Sequence, residues 1–300
     1  MSNAANLKRI SDDVVIFTTP KVLQVCLELD FLFHEIFTGV AVSLDIREAM
    51  SARCVIYLEY DFDYALAQAI KQAGKRLVLM HLGDETGAKD LAAYQSADGV
   101  LRNYFLPQVF SDHRWASKLH WMPNGYRSGL GYRTAKQPKA ASRRTQWARF
   151  IGWLANPNAV GNERSEFEQA ALSAAPLLHC VPTEGFAGGY SANLYQQLME
   201  DAVFAPCPAG NAAETIRLFD AMECGCIPIS KPQGFLSAAA ALAGAPIEII
   251  SHWSITGESL ASFKHGEDAM SLVDERQKQV QRFWTATKHK AAWTAAMVAA

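Results

Sequence analysis

The segment 204–229, FAPCPAGNAAETIRLFDAMECGCIPI, brings together groups that can hold an anion and groups that can hold a polyol. Its apolar start reads as a strand, and Pro208, Ala209 and Gly210 then keep bulk away from a helix expected to open at about Asn211. The first N–H groups of such a helix have no partner within it and sit at the positive end of its dipole. Gly210 and Asn211 would therefore form a phosphate seat. Arg217 and Asp220 follow and project from neighbouring positions of one helix face. A guanidinium there can take a diphosphate, and a carboxylate can accept ribose hydroxyls. Gly225 is placed to end the helix, and Pro228 stiffens the returning strand. Spacing alone fits equally an exposed ion pair between Arg217 and Asp220, worth ~0.2–0.5 kcal/mol, with the glycines acting as caps.

Elements able to position these groups recur along the chain. Short apolar, β-branched runs at 13–18, 40–44, 54–57, 76–80, 99–101 and 118–122 read as strands. Thr19 and Pro20 open a helix expected to reach about Phe37, and 61–73 and 88–96 carry helical apolar spacing. The stretch 131–146, rich in Lys, Arg, Ser and Gln, reads as an exposed connection and sets the domain boundary, giving domains 1–137 and 138–300. Strand-like runs resume at 148–153, 177–181, 203–206, 226–230 and 247–250, and 269–300 is a long helical pattern rich in Ala, Lys and Gln. Alternating strands and helices imply parallel sheets. The expected fold class is α/β, two Rossmann-like domains whose sheets face a central cleft, where ligands bind in such proteins.

Composition narrows the function. The 300 residues, half of them apolar, suffice for two cores, and 28 basic against 30 acidic residues leave a formal charge of -2. That balance provides no field for a polyanion, which argues against nucleic acid as the main partner. Six cysteines lie mostly inside apolar runs without the spacing of a disulfide framework or a metal knuckle, and are expected to be reduced. No apolar run reaches the ~18 residues that span a bilayer, and the first nine residues lack the order of a secretion signal. The expected location is the cytoplasm, with docking at a membrane surface left open. No P-loop motif is present, and Thr18-Thr19-Pro20 stands where a G-x-G-x-x-G would follow the first strand, so NAD enzymes and P-loop NTPases recede.

The 204–229 run resembles the carboxy-terminal signature of exostosin-like glycosyltransferases, in which a C-P-x-G loop precedes R-L-F-[DE]-A and G-C-I-P. Here these are Cys207-Pro208 with Gly210, Arg217 to Ala221, and Gly225 to Pro228. The spacing from Asp220 to Gly225 is also similar to the E-A-x-x-x-G nucleotide-sugar motif of two-domain (GT-B) glycosyltransferases. HLGDE at 81–85, LRNYF at 101–105 and MPNGY at 122–126 resemble a subgroup close to the ribitol xylosyltransferase-like exostosins. FIGW at 150–153, followed by Arg164, resembles the family's first carboxy-domain strand and the arginine after it. The resemblance covers roughly 76–233.

What it implies is a GT-B fold and an inverting, metal-independent hexosyl- or pentosyltransferase without a cofactor. The enzyme would move a sugar from a nucleotide donor, UDP-linked, to a glycan or glycoconjugate hydroxyl in polysaccharide, capsule or surface-glycan assembly. Asp220 would hold the ribose and Arg217 the diphosphate, with Gly210, Asn211 and Arg164 completing the donor site. The absence of the anchor and stem of animal and plant relatives suits a bacterial or viral enzyme.

Such a reaction needs one base for the acceptor hydroxyl and no covalent intermediate. Asp84 and Glu85 follow strand 76–80 at its carboxyl end with His81 beside them, and one of the two acids is the favoured base. Either acid could instead cap a helix ahead of Ala88. Arg102, Asn103 and Tyr104 could orient an acceptor or approach the diphosphate, or simply pack as a loop on the sheet. Arg164 could neutralise phosphate or lie exposed. A rival architecture is signalled by Asp61-Phe62-Asp63, which has the D-x-D form that holds a divalent metal in single-domain (GT-A) glycosyltransferases, although either acid also suits a helix cap. Rival functions are a non-catalytic nucleotide-sugar or glycan-binding protein, and a sugar-nucleotide epimerase or hydrolase on a similar scaffold.

Overall fold

The computed structural model describes residues 13–130, 138–186, 188–238, 242–265 and 268–300. The amino terminus and residues 131–137 of the expected polar connection lie outside the described residues. By its contacts the chain forms two units, Met1–Asn124 with Thr287–Ala300, and Gly125–Ala286.

In the first unit, β1 (Val14–Phe17), β2 (Ala41–Ser43), β3 (Cys54–Glu59), β4 (Arg76–His81), β5 (Gly99–Arg102) and β6 (Leu119–Trp121) form one parallel sheet in the order β2-β1-β3-β4-β5-β6. Every residue of β3 is buried, as in parallel strands covered on both faces. Each fully buried Val, Leu or Ile contributes about 1.5–3 kcal/mol. The helix Tyr64–Gln72 lays Ala67 and Ile70 into the core, and Asp63 caps it by accepting the Leu66 N–H at 3.1 Å. The register pairs Glu59 with His81 and His81 with Arg102, so polar side chains gather where the apolar strands end.

In the second unit, β7 (Gln146–Gly152), β8 (Leu178–Pro182), β9 (Ala202–Pro206), β10 (Ile227–Ser230) and β11 (Glu248–Ile249) form a parallel sheet in the order β11-β10-β9-β7-β8. Phe150, Phe167, Phe204 and Trp253 fill its core. The helix Ala269–Ala299 contributes residues to both units. Near its end, Arg76 Nε donates to the Val298 carbonyl at 2.9 Å, and a Cβ on Gly99 would collide with Val298 Cγ1, so any side chain there must displace Val298. No described helix is long and apolar enough to cross a membrane.

Each expected strand is present, with its ends within two residues of the expectation. Two expected helices are not continuous. The 19–37 stretch breaks after Pro20–Val25, because a straight helix would point Val22 and Phe31 to opposite sides although both are buried. In 88–96 only the short turn Ala92–Gln95 forms. Asp84 Oδ1 takes the Lys89 N–H at 3.3 Å and Asp90 Oδ1 the Ala92 N–H at 2.9 Å, which diverts backbone donors from a helix.

Candidate functional site

The helix that carries Arg217 and Asp220 runs over Ile216–Glu223 and begins after Thr215, not near Asn211. The loop before it is tied down group by group. The Ala209 N–H donates to the Glu163 carboxylate, the Ala209 carbonyl accepts from Arg164 Nε at 2.8 Å, and the Gly210 carbonyl accepts from the Val160 N–H at 2.9 Å. Asn156 donates to the Asn211 side chain at 2.9 Å. With these groups engaged, 211–214 cannot join the helix, and the seat expected on a helix terminus at Gly210 and Asn211 is replaced by a pinned loop. Gly225 ends the helix as expected, with φ 67° and the Cys226 N–H bonded to the Ala221 carbonyl at 2.8 Å.

Arg217 and Arg164 are both buried and meet at Phe150. Their guanidinium carbons stand 4.3 and 5.5 Å from the centre of its ring. Arg217 Nη1 donates to the Ile151 carbonyl, and Gly152 makes room for it, since a Cβ there would lie 2.0 Å from Arg217 Nη2. A Cβ on Gly210 would lie 3.6 Å from Arg164 Nη2, so the loop glycine adjoins the same cation. Neither arginine forms an ion pair with a described carboxylate, and Arg164 Nη1 and Arg217 Nε are buried without a hydrogen-bond partner. Burial first, and Arg217 second, lower Arg164 to about 9. Two desolvated cations with unused donors form a place that an anion would stabilise.

Asp220 is fully buried, and its partner is Arg127. The Arg127 backbone N–H reaches Oδ1 at 2.9 Å and Nε reaches Oδ2 at 3.0 Å, while the guanidinium lies 4.2 Å from the centre of the Tyr195 ring. The exposed pair between Arg217 and Asp220 is not what forms. The Tyr195 hydroxyl is buried without a hydrogen-bond partner, and burial, then the Asp220 charge, push its ionisation up.

In the first unit the structure brings together all six residues singled out at 81–85 and 102–104. Arg102 and Asp84 make a buried ion pair at 2.8 Å. His81 Nδ1 meets the Tyr94 hydroxyl at 2.6 Å and Nε2 the Tyr60 carbonyl at 3.1 Å. Burial, then the Arg102 charge, lower His81 to about 4, which leaves it neutral near pH 7. Asn103 Oδ1 accepts the Gly83 N–H at 3.0 Å, and the Tyr104 hydroxyl donates to Glu85 Oε1 at 3.0 Å. Glu85 is half-buried. Asp63 is the cap of its helix and Asp61 is paired with Lys89 at 2.8 Å. Among the described residues no cluster of three His, Cys, Asp or Glu could hold a metal.

Arg127, Glu163, Phe150 and Tyr195 were not among the expected site residues. Glu163 directly precedes Arg164 and Phe150 opens the FIGW run, so sequence position hinted at both. Arg127 lies just after MPNGY with no pattern pointing to its partner 93 residues away.

No family model matches the sequence, and no curated protein matches it significantly. Solved structures do match the fold. Anabaena HepE in complex with UDP aligns with a TM-score of 0.57 at 12% identity over 94% of this chain and 98% of that one. The same protein with UDP and glucose gives 0.58 at 11% identity over 95% and 99%. The DNA-modifying enzyme β-glucosyltransferase, studied with and without uridine diphosphoglucose, gives 0.52 at 10% identity over 95% and 98%. These neighbours are GT-B glycosyltransferases, and with its two parallel sheets this chain has the GT-B fold.

Proposed function

We propose that the chain is a glycosyltransferase that moves a hexose or pentose from a UDP-linked donor to a hydroxyl of a glycan or glycoconjugate, with inversion and without a metal. The observation that carries this reading is the pair of buried guanidinium groups, Arg164 and Arg217, each with an unpartnered nitrogen and neither in an ion pair with a described carboxylate. A diphosphate supplies the acceptors they lack, and they stabilise the charge that grows on departing UDP. A fold shared with HepE, solved with UDP, supports the same donor. Within this class the motif residues Cys207-Pro208, Gly210, Arg217–Ala221 and Gly225–Pro228 favour kinship with the exostosin-like enzymes. Asp220 serves the ribose when Arg127, which now holds both its oxygens, moves aside.

Glu85 is the base. Asp84 is held by Arg102, and His81 is neutral with both ring nitrogens engaged, whereas Glu85 is the half-buried member of the group. The acceptor oxygen attacks the anomeric carbon as the bond to the diphosphate oxygen breaks. The hydroxyl proton passes to Glu85, and the bonding pair leaves with UDP. Engagement of Asp61 by Lys89 and of Asp63 as a cap supports leaving-group stabilisation by arginine instead of a D-x-D metal. Polysaccharide or surface-glycan assembly is the setting that fits such an activity.

Calorimetric titration with UDP, UDP-glucose and UDP-xylose, with magnesium or with a chelator, tests the reading on the wild type, Arg164→Ala and Arg217→Ala. Metal-independent UDP binding weakened in both variants is the expected result. No UDP binding by the wild type would sink the reading.

A further inference from the structure

The carboxyl ends of β4 and β5 are joined residue by residue. Arg102 donates to the Asp84 carboxylate and carbonyl at 2.8 and 2.9 Å, Asn103 Oδ1 accepts the Gly83 N–H at 3.0 Å, and the Tyr104 hydroxyl reaches Glu85 Oε1 at 3.0 Å. Three consecutive residues of one strand exit thus hold three consecutive residues of its neighbour. Tyr104 makes its contact with φ at 55°, in the left-handed region that bulky side chains avoid. Such a conformation persists only where the surroundings over-determine it. Here the surroundings are defined on both sides: the Asn103 N–H is bonded to the His81 carbonyl at 3.3 Å, and Phe105 stacks on Phe110 with centroids 4.6 Å apart. The remaining oxygen of Glu85, Oε2, takes no hydrogen bond from a described residue.

We infer that Tyr104 is a positioning residue for the base: its phenol hydroxyl fixes one oxygen of Glu85 so that the other is aimed at the acceptor hydroxyl. The assignment rests on the reading of Glu85 as the base. Tyr104 acts through Glu85, and its left-handed backbone is a strain that the pinned neighbours on either side maintain. A base held in one rotamer meets the acceptor in the productive geometry without first losing side-chain freedom.

The test uses the full chain with UDP-glucose, following UDP release with water or glucose as acceptor, together with calorimetric titration of UDP. Tyr104→Phe keeps the ring and removes only the hydroxyl. The expected result is a loss of about 10- to 100-fold in kcat with KM for the donor and UDP affinity unchanged. Glu85→Gln should lose more, and the double variant should be no slower than Glu85→Gln alone, because a positioning group has nothing to act on once the base is gone. A packing role would give additive losses and a lowered unfolding temperature, and that result overturns the assignment. Wild-type turnover by Tyr104→Phe, beside an impaired Glu85→Gln, also overturns it while leaving the base in place. An active Glu85→Gln overturns the base reading and this assignment with it, and absence of UDP binding by the wild type removes the donor reading as well.

Discussion

Replacing Gly152 by alanine adds one carbon at the most crowded point of the arginine pair. The new Cβ would lie 2.0 Å from Arg217 Nη2 and 2.9 Å from Cζ, where ordinary contact begins at 3.4 Å, so the guanidinium must retreat by the difference, about 1.4 Å. The obstacle is the far end of a flexible side chain and Gly152 has no positive φ, so the backbone tolerates the change. Arg217 then gives up its hydrogen bond to the Ile151 carbonyl and part of its contact with Phe150, a stability loss of about 1–3 kcal/mol. With Arg217 on the diphosphate as proposed, the donor would lose a charge-assisted contact worth about 1.5–3 kcal/mol, which is a 10- to 150-fold rise in the UDP dissociation constant. Titration calorimetry measures the second quantity and thermal unfolding the first. Arg217→Ala in the Gly152→Ala background should lose little further affinity, because the contact is already gone. A Gly152→Ala protein that unfolds earlier yet binds UDP as the wild type does would refute the placement of Arg217 against the diphosphate.

Three further outcomes follow from the packing. Arg102→Met should leave Asp84 buried and unpaired and cost about 3–5 kcal/mol in chemical unfolding, whereas Arg102→Met with Asp84→Asn should recover much of that loss; equal destabilisation by both would contradict the buried pair. His81, lowered to about 4 beside Arg102, Asp84 and Tyr94, is neutral in the fold but takes a proton when unfolded below about 6.5. Stability should therefore fall as pH drops from 6.5 towards 4, by up to about 1.4 kcal/mol per pH unit from this group, and His81→Gln should remove that part of the slope in unfolding measured against pH. Gly99→Ala should meet Val298 and destabilise the first unit by about 1–3 kcal/mol, with rescue by Val298→Ala; failure of the rescue would show that the end of the last helix does not rest on Gly99.

Local pattern is enough for the strands because the middle of a parallel strand covered on both faces must be apolar, and the stretches 54–58 and 77–80 are hard to mistake. The stop at Gly225 is equally local, since the turn there needs a positive φ. Helices were harder. The 19–37 pattern is apolar enough for one helix, but Val22 and Phe31, which a straight helix would point to opposite sides, are both buried, and the chain breaks between them. The loop before Ile216 failed as a helix start for a similar reason. Its carbonyls and N–H groups answer to Val160, Glu163 and Arg164, residues that no rule of local spacing connects to Gly210.

By itself the sequence determined the two parallel-sheet halves, the Pro/Gly loop ahead of Arg217 and the carboxylates at the end of the fourth strand. Each depends on residue type within one turn or one strand, where sterics and solvent act directly on neighbouring positions. Only the tertiary structure decided which charges meet. Asp220 belongs to Arg127 and not to Arg217, Arg164 joins Arg217 over Phe150, and Arg102, Asn103 and Tyr104 meet Asp84, Gly83 and Glu85 respectively. Pairing of buried charges is settled by strand register and by which groups water leaves together, and neither is written in the spacing along the chain.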